Sequence, residues 1–119
     1  MNFQGRGIAS IIFSMPTPLQ QDVARYADEI EGELRSMGLW QDQPLRPEQL
    51  KFKQAFAMDT MTFIQWLQFV FLPRVREAVA SNEFPQRSSV GAQAVRELDG
   101  DPDANRLLTL LSEFDALFD

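Results

Sequence analysis

The chain has 119 residues, 45% hydrophobic and 24% charged, with 11 basic and 17 acidic side chains for a net charge of −6. That length gives one domain whose core needs no disulfide or metal staple, and the acidic balance lacks the positive potential that free-standing nucleic-acid binders use. With neither Cys nor His, thiol chemistry, imidazole acid–base work, disulfides and nearly every transition-metal site are excluded, and only carboxylates remain as hard-metal ligands.

Residues 1–14, MNFQGRGIASIIFS, match nothing downstream. Ile8 to Phe13 is too short for a membrane span, which takes ~20 apolar residues, and the segment lacks a signal peptide's charged start and cleavage site. It reads as an extension or tag-like segment outside the fold, with Met15 as the natural start. A first helix opens at Thr17, with Pro18 at its first position and Gln20 completing a Thr-x-x-Gln capping box. Leu19, Val23, Tyr26, Ala27, Ile30, Leu34 and Met37 form one apolar stripe, and Gly38 sits where a left-handed cap is expected.

A long connection spans residues 39–58. Trp40 folds back onto the bundle, Pro47 to Lys53 makes one helical turn or two, and Phe52 and Phe56 are the anchors. The stretch from Phe56 to Val75, FAMDTMTFIQWLQFVFLPRV, is apolar on every side, with Met58, Met61, Phe63, Trp66, Leu67 and Phe71 among its members. Such a segment belongs in the centre of a bundle. Its helix starts at Thr62, where Thr62-x-x-Gln65 is a second capping box and Met61 with Trp66 a hydrophobic staple. Pro73 removes one backbone bond and kinks a helix that runs on to about Ala80.

Ser88 to Leu98 reads as a short helix with Val90, Ala94, Val95 and Leu98 inward. Asp101 caps the last helix, with Pro102 at its first position, and Leu107, Leu110, Leu111, Phe114, Leu117 and Phe118 share one broad face. The expected architecture is all-α: an irregular four-helix bundle with a kinked, buried central helix, formed by residues 15–119 as a single domain.

Several residues invite a functional reading. Asp59, beside Thr60, is either a ligand-binding carboxylate or a hydrogen-bonder to backbone N–H groups near the central helix. Gln68 has no capping role, so it either ties the helix to a loop backbone or lines a polar pocket. Arg74 and Arg76 follow the proline; they bind a phosphate or acidic partner or offset a helix dipole, and for Arg74 a pair with Asp59 or with a first-helix carboxylate is an equal alternative. Asp99, Asp101 and Asp103 fail the calcium-loop frame, because Leu110 stands where a bidentate Glu is required; no metal and no cofactor is expected. Ten Phe with Trp40, Trp66 and Tyr26 make either a dense core or an outward interface.

The chain resembles the YqcC-like family of small bacterial proteins. The resemblance rests on Leu39-Trp40, Phe56, Met58-Asp59-Thr60-Met61, Trp66-Leu67-Gln68, Leu72-Pro73-Arg74, and the closing Leu111 to Phe118 helix. It covers residues 15–119 and implies an all-α bundle with no assigned activity and no catalytic residues to carry over. Genes of the family often lie beside that of a tRNA pseudouridine synthase, which implies a link to tRNA modification by association. The expected function is a non-catalytic, cytoplasmic interaction or adaptor module. Its partner is a protein, with a pseudouridine synthase a candidate and a second copy of the chain another. Direct nucleic-acid or membrane binding is not expected. The competing expectation is a small-ligand binder or enzyme with a pocket near Asp59, Gln68 and Arg74.

Overall fold

The first two long helices start where a side chain satisfies a free N–H group. The computed structural model describes residues 15–119, so the extension expected at 1–14 lies outside the described residues. Helix α1, Pro18–Ser36, opens with the expected capping box: the Thr17 hydroxyl accepts the Gln20 N–H at 3.0 Å, and Gln20 Oε1 accepts the Thr17 N–H at 2.8 Å. Its stripe buries Val23, Ala27, Ile30 and Leu34, and Gly38 ends it with φ 72°.

The connection that follows holds two short 3-10 turns, Pro47–Leu50 and Ala55–Ala57. Phe56 and Ala57 lie in the left-handed region with φ 58° and 53°. Side chains with a Cβ adopt that conformation only where the surroundings impose it. Phe56 is fixed there by its ring, edge-on to Trp66 at 4.9 Å.

Helix α2 spans residues 63–81 without interruption, as an α-helical turn Phe63–Trp66, a π-helical turn Leu67–Phe71 and an α-helix Leu72–Ser81. The second capping box forms as expected, with Thr62 and Gln65 exchanging bonds at 3.1 Å. Pro73 does not split the helix. Its missing N–H is accommodated by the widened turn just before it, where the Leu72 N–H reaches back five residues to the Leu67 carbonyl. The turn also changes which residues share a face. Residues five apart on an α-helix point about 140° from each other, yet the rings of Trp66 and Phe71 lie 5.5 Å apart. The left-handed Asn82, φ 55°, ends the helix.

Helix α3, Val90–Leu98, and helix α4, Asn105–Ala116, complete the set; a 3-10 turn Pro102–Ala104 leads into α4, with Asp101 accepting the Asp103 N–H at 3.0 Å. No strand occurs among the described residues. Helix α1 packs on the C-terminal part of α2 and on α4, and α3 packs on α4. The core gathers Ile30 and Leu34 of α1, Leu67 and Leu72 of α2, Ala94 of α3, and Leu107, Leu110 and Leu111 of α4. The architecture is therefore the all-α bundle of four helices expected, and no residue of the 63–72 stretch of α2 is exposed.

Two burial expectations are corrected. Met58 is 47% exposed; it belongs to the turn ahead of the Thr62 cap, where Ala57 takes the inward position. Val95 is 46% exposed. The buried arc of α3 is centred on Ala94 and includes Val90, Gly91 and Gln93, so Val95, about 100° further round, falls outside it.

Candidate functional site

The residues singled out from the sequence separate into three places. The first is a clamp on the connection. Gln68 is buried on α2 and grips both backbone groups of Gln41: its Oε1 accepts the Gln41 N–H at 2.8 Å, and its Nε2 donates to the Gln41 carbonyl at 2.7 Å. Gln65 adds a bond from Nε2 to the Gln41 side-chain oxygen at 3.1 Å. Of the two roles open to Gln68, the tie to a loop backbone is the one realised. Trp40, next along, is half-buried against the core, with the Arg35 guanidinium 4.4 Å over its ring.

The second place is a knot at the end of the connection. Asp59 is exposed and accepts the Lys53 N–H at 3.0 Å and the Gln54 N–H at 3.4 Å. The Lys53 N–H bond, outweighing the opposing effect of desolvation, holds its carboxyl below the usual range. Thr60 donates its hydroxyl to the Gln49 carbonyl at 2.7 Å, and Gln49 returns a bond to the Thr60 carbonyl at 3.2 Å. Asp59 thus binds the loop before it; the helix after it is capped by Thr62. Met61 is buried behind the knot, and the exposed Met58 accepts a bond through sulfur from Gln93 at 3.3 Å.

The third place is a cleft of ≈ 450 Å³ between α2, α4 and the segment leading into α3, lined by Trp66, Phe71, Phe114 and Phe118 with Arg74 and Arg87. Asp59 and Gln68 are not among its lining residues. Of the three residues around which a pocket was expected, Arg74 alone lines this cleft. Arg74 pairs with neither Asp59 nor α1. That role falls to Arg76, which donates to Asp28 at 3.0 Å and Glu31 at 2.9 Å. Burial pushes the Glu31 carboxyl upward, but bonds from Arg35 and Arg76 outweigh it and leave the group below its ordinary value. Pro73 is exposed and serves the helix geometry alone. Among the described residues, no group of three or more acids is placed to hold a metal ion, and no helix is long and apolar enough to cross a membrane.

Comparison with known proteins identifies the chain's relatives. Residues 22–117 match the DUF446 family, described as tRNA pseudouridine synthase C. Uncharacterized protein YqcC of Escherichia coli is 32% identical over 91 residues, covering 75% of this chain and 84% of that protein. The chain belongs to the YqcC-like family. This is a family of small bacterial proteins of unknown function. The solution structure of E. coli YqcC superposes with a TM-score of 0.76 at 29% identity, covering 86% of this chain and 89% of that one. An uncharacterized protein of Haemophilus influenzae is 23% identical over 100 residues, 83% of this chain and 94% of the relative. A tRNA pseudouridine synthase C of Pectobacterium carotovorum is 40% identical over 53 residues, which are 44% of this chain and 14% of the synthase.

In this YqcC-like chain, three structural residues escaped the sequence reading. Gln41 carries no local signal, because its partner Gln68 lies 27 residues away. Asp115 of α4 accepts the Ser88 hydroxyl at 2.5 Å and the Gly91 N–H at 2.8 Å, and so caps α3 from a neighbouring helix. Its signal was an acid on the flank of the apolar face formed by Leu111, Phe114 and Phe118. Gly91 is needed because α4 comes so close: a Cβ there would stand 2.8 Å from the Leu111 carbonyl oxygen and 2.8 Å from the Ser112 Cα.

Proposed function

We propose that this chain is a non-catalytic docking module that serves a tRNA pseudouridine synthase in the cytoplasm. The observation that carries the reading is the match, over 53 residues, to part of a chain that bears that enzyme's name. A module covalently joined to an enzyme meets it at high effective concentration; a separate module must use a binding surface for the same end. The electrostatics favour a binding role over catalysis. Asp59 and Glu31 both have lowered pKa values, each accounted for by backbone or arginine partners, whereas a general acid or base is tuned toward neutrality. The connection offers the binding surface: Leu39, Leu50 and Met58 are 38%, 57% and 47% exposed, on a loop held firm by the Gln41 clamp and the Asp59 knot.

The test is a calorimetric titration of the chain into purified tRNA pseudouridine synthase C from the same organism. A one-to-one complex with Kd of about 10 μM or tighter is expected. Leu50→Asp and Met58→Asp should each weaken it at least about tenfold, as for an anchor residue at an interface. No complex at roughly 100 μM of either protein would reject the reading.

A further inference from the structure

The cleft combines an apolar interior with two cations that have no carboxylate within 4 Å among the described residues. Its interior is made by Trp66 and Phe71 of α2, Phe114 of α4, Phe118 in the turn just past that helix, and the half-buried Phe56 and Phe84. Phe71 stands edge-on to Phe114 at 5.2 Å, and Phe114 lies 5.3 Å from Phe118, so the wall is a continuous run of rings. Arg74 and Arg87 line the same cleft, and both are exposed. Arg25, Arg35, Arg46, Arg76 and Arg106 each hold a carboxylate within 4 Å. Arg74, Arg87 and Arg96 form no ion pair among the described residues, and of these three Arg74 and Arg87 line the cleft. In a protein of net charge −6, two uncommitted guanidinium groups beside one apolar hollow are a specific arrangement. The acid next to Ser88, Asp115, already accepts from Ser88 and Gly91.

The volume fits a small molecule. It lies within the ~300–1,000 Å³ typical of such sites. We propose that this cleft binds a small amphiphilic carboxylate, with its apolar body against the rings and its carboxylate held by Arg74 and Arg87. A guanidinium presents paired N–H donors that match the two oxygens of a carboxylate. The rings remove the apolar body from water. A neutral alcohol of the same length gains only the second contribution, and a quaternary ammonium is repelled by the first.

Trp66 lines the cleft and reports occupancy. The chain has two Trp, so Trp40→Phe leaves Trp66 as the sole fluorophore. Decanoate, decanol and decyltrimethylammonium are titrated below their micelle concentrations, and Trp66 emission is recorded. Decanoate should give a saturable change, tightening about fourfold per added methylene across the octanoate-to-decanoate pair. Decanol and the ammonium should bind about tenfold more weakly or less, and Arg74→Gln and Arg87→Gln should each weaken decanoate about tenfold, with unchanged thermal midpoints. No saturable change would overturn the proposal. So would equal binding of decanol, or decanoate binding indifferent to both arginine substitutions. The synthase titration stands apart from these outcomes, because its variants lie on the connection and not in the cleft.

Discussion

Gln68 shows how much one side chain can settle. Its amide satisfies the N–H and the carbonyl of Gln41 at once. Gln68→Leu keeps the bulk and removes both partners, leaving two backbone groups without their bonds. Such a loss costs ~1–3 kcal/mol, which urea unfolding with an unchanged m-value should register. A change under ~0.5 kcal/mol, the range of ordinary surface substitutions, would mean that water replaces the amide without loss. Asp59 makes a prediction of a different kind. Its folded-state pKa lies below the ordinary value because of the Lys53 N–H. A carboxyl depressed on folding contributes stability above its unfolded pKa and loses it as pH falls through the folded value. Asp59→Asn should therefore be less stable than the parent at pH 7, and the gap should close below about pH 4. Melting temperatures across that range test this; a gap of constant size would show that charge is not what holds the knot.

At the scale of the element, two glycines in helices are predicted to respond in opposite directions. Gly91 abuts the backbone of α4 at 2.8 Å, whereas a Cβ on Gly32 meets nothing within 4 Å. Gly91→Ala should destabilise by ~1–3 kcal/mol, the usual cost of overpacking. Gly32→Ala should stabilise by ~0.5–1 kcal/mol through helix propensity alone. Thermal unfolding of the pair decides both, and equal effects would contradict the packing of α3 on α4. The elements also show what a sequence discloses. Both capping boxes join residues three apart, so a short pattern reveals them before any folding is known. The apolar stripes of α1 and α4 follow the helical period and were equally legible. The Gln68–Gln41 clamp, the Arg76 pairs with α1 and the Asp115 cap join residues 24 to 48 apart, and no local pattern encodes them. The π-helical turn was half legible: Pro73 announced a distortion, but not that the helix would widen around it. Val95 shows the same limit on a smaller scale, since a rotation of about 100° along a helix separates it from the buried Ala94.

For the whole molecule, charge placement limits what the surface can hold. Among the basic residues of the connection and the proline turn, Arg46, Lys51, Lys53, Arg74 and Arg76, Arg76 is committed to Asp28 and Glu31 and Arg46 to Glu48. Lys51, Lys53 and Arg74 remain there, and Arg87 and Arg96 lie elsewhere in the chain without an ion pair among the described residues; against a net charge of −6 these make only a few phosphate contacts. Isolated tRNA should not bind saturably at low micromolar concentration in ~150 mM salt, and a filter-binding or anisotropy titration that saturates there would overturn this. The cap on α3 has a consequence of its own. Ser89 gives that helix no side-chain bond, and the carboxylate that replaces it belongs to α4. Helix α3 therefore cannot be anchored at its start while parted from α4, and the two open as one cooperative unit. The Gly91 amide, buried in that joint, becomes a single-proton gauge of it: its rate of exchange with deuterated solvent reads how often the α3–α4 hairpin comes apart, in the free chain and in any complex it enters.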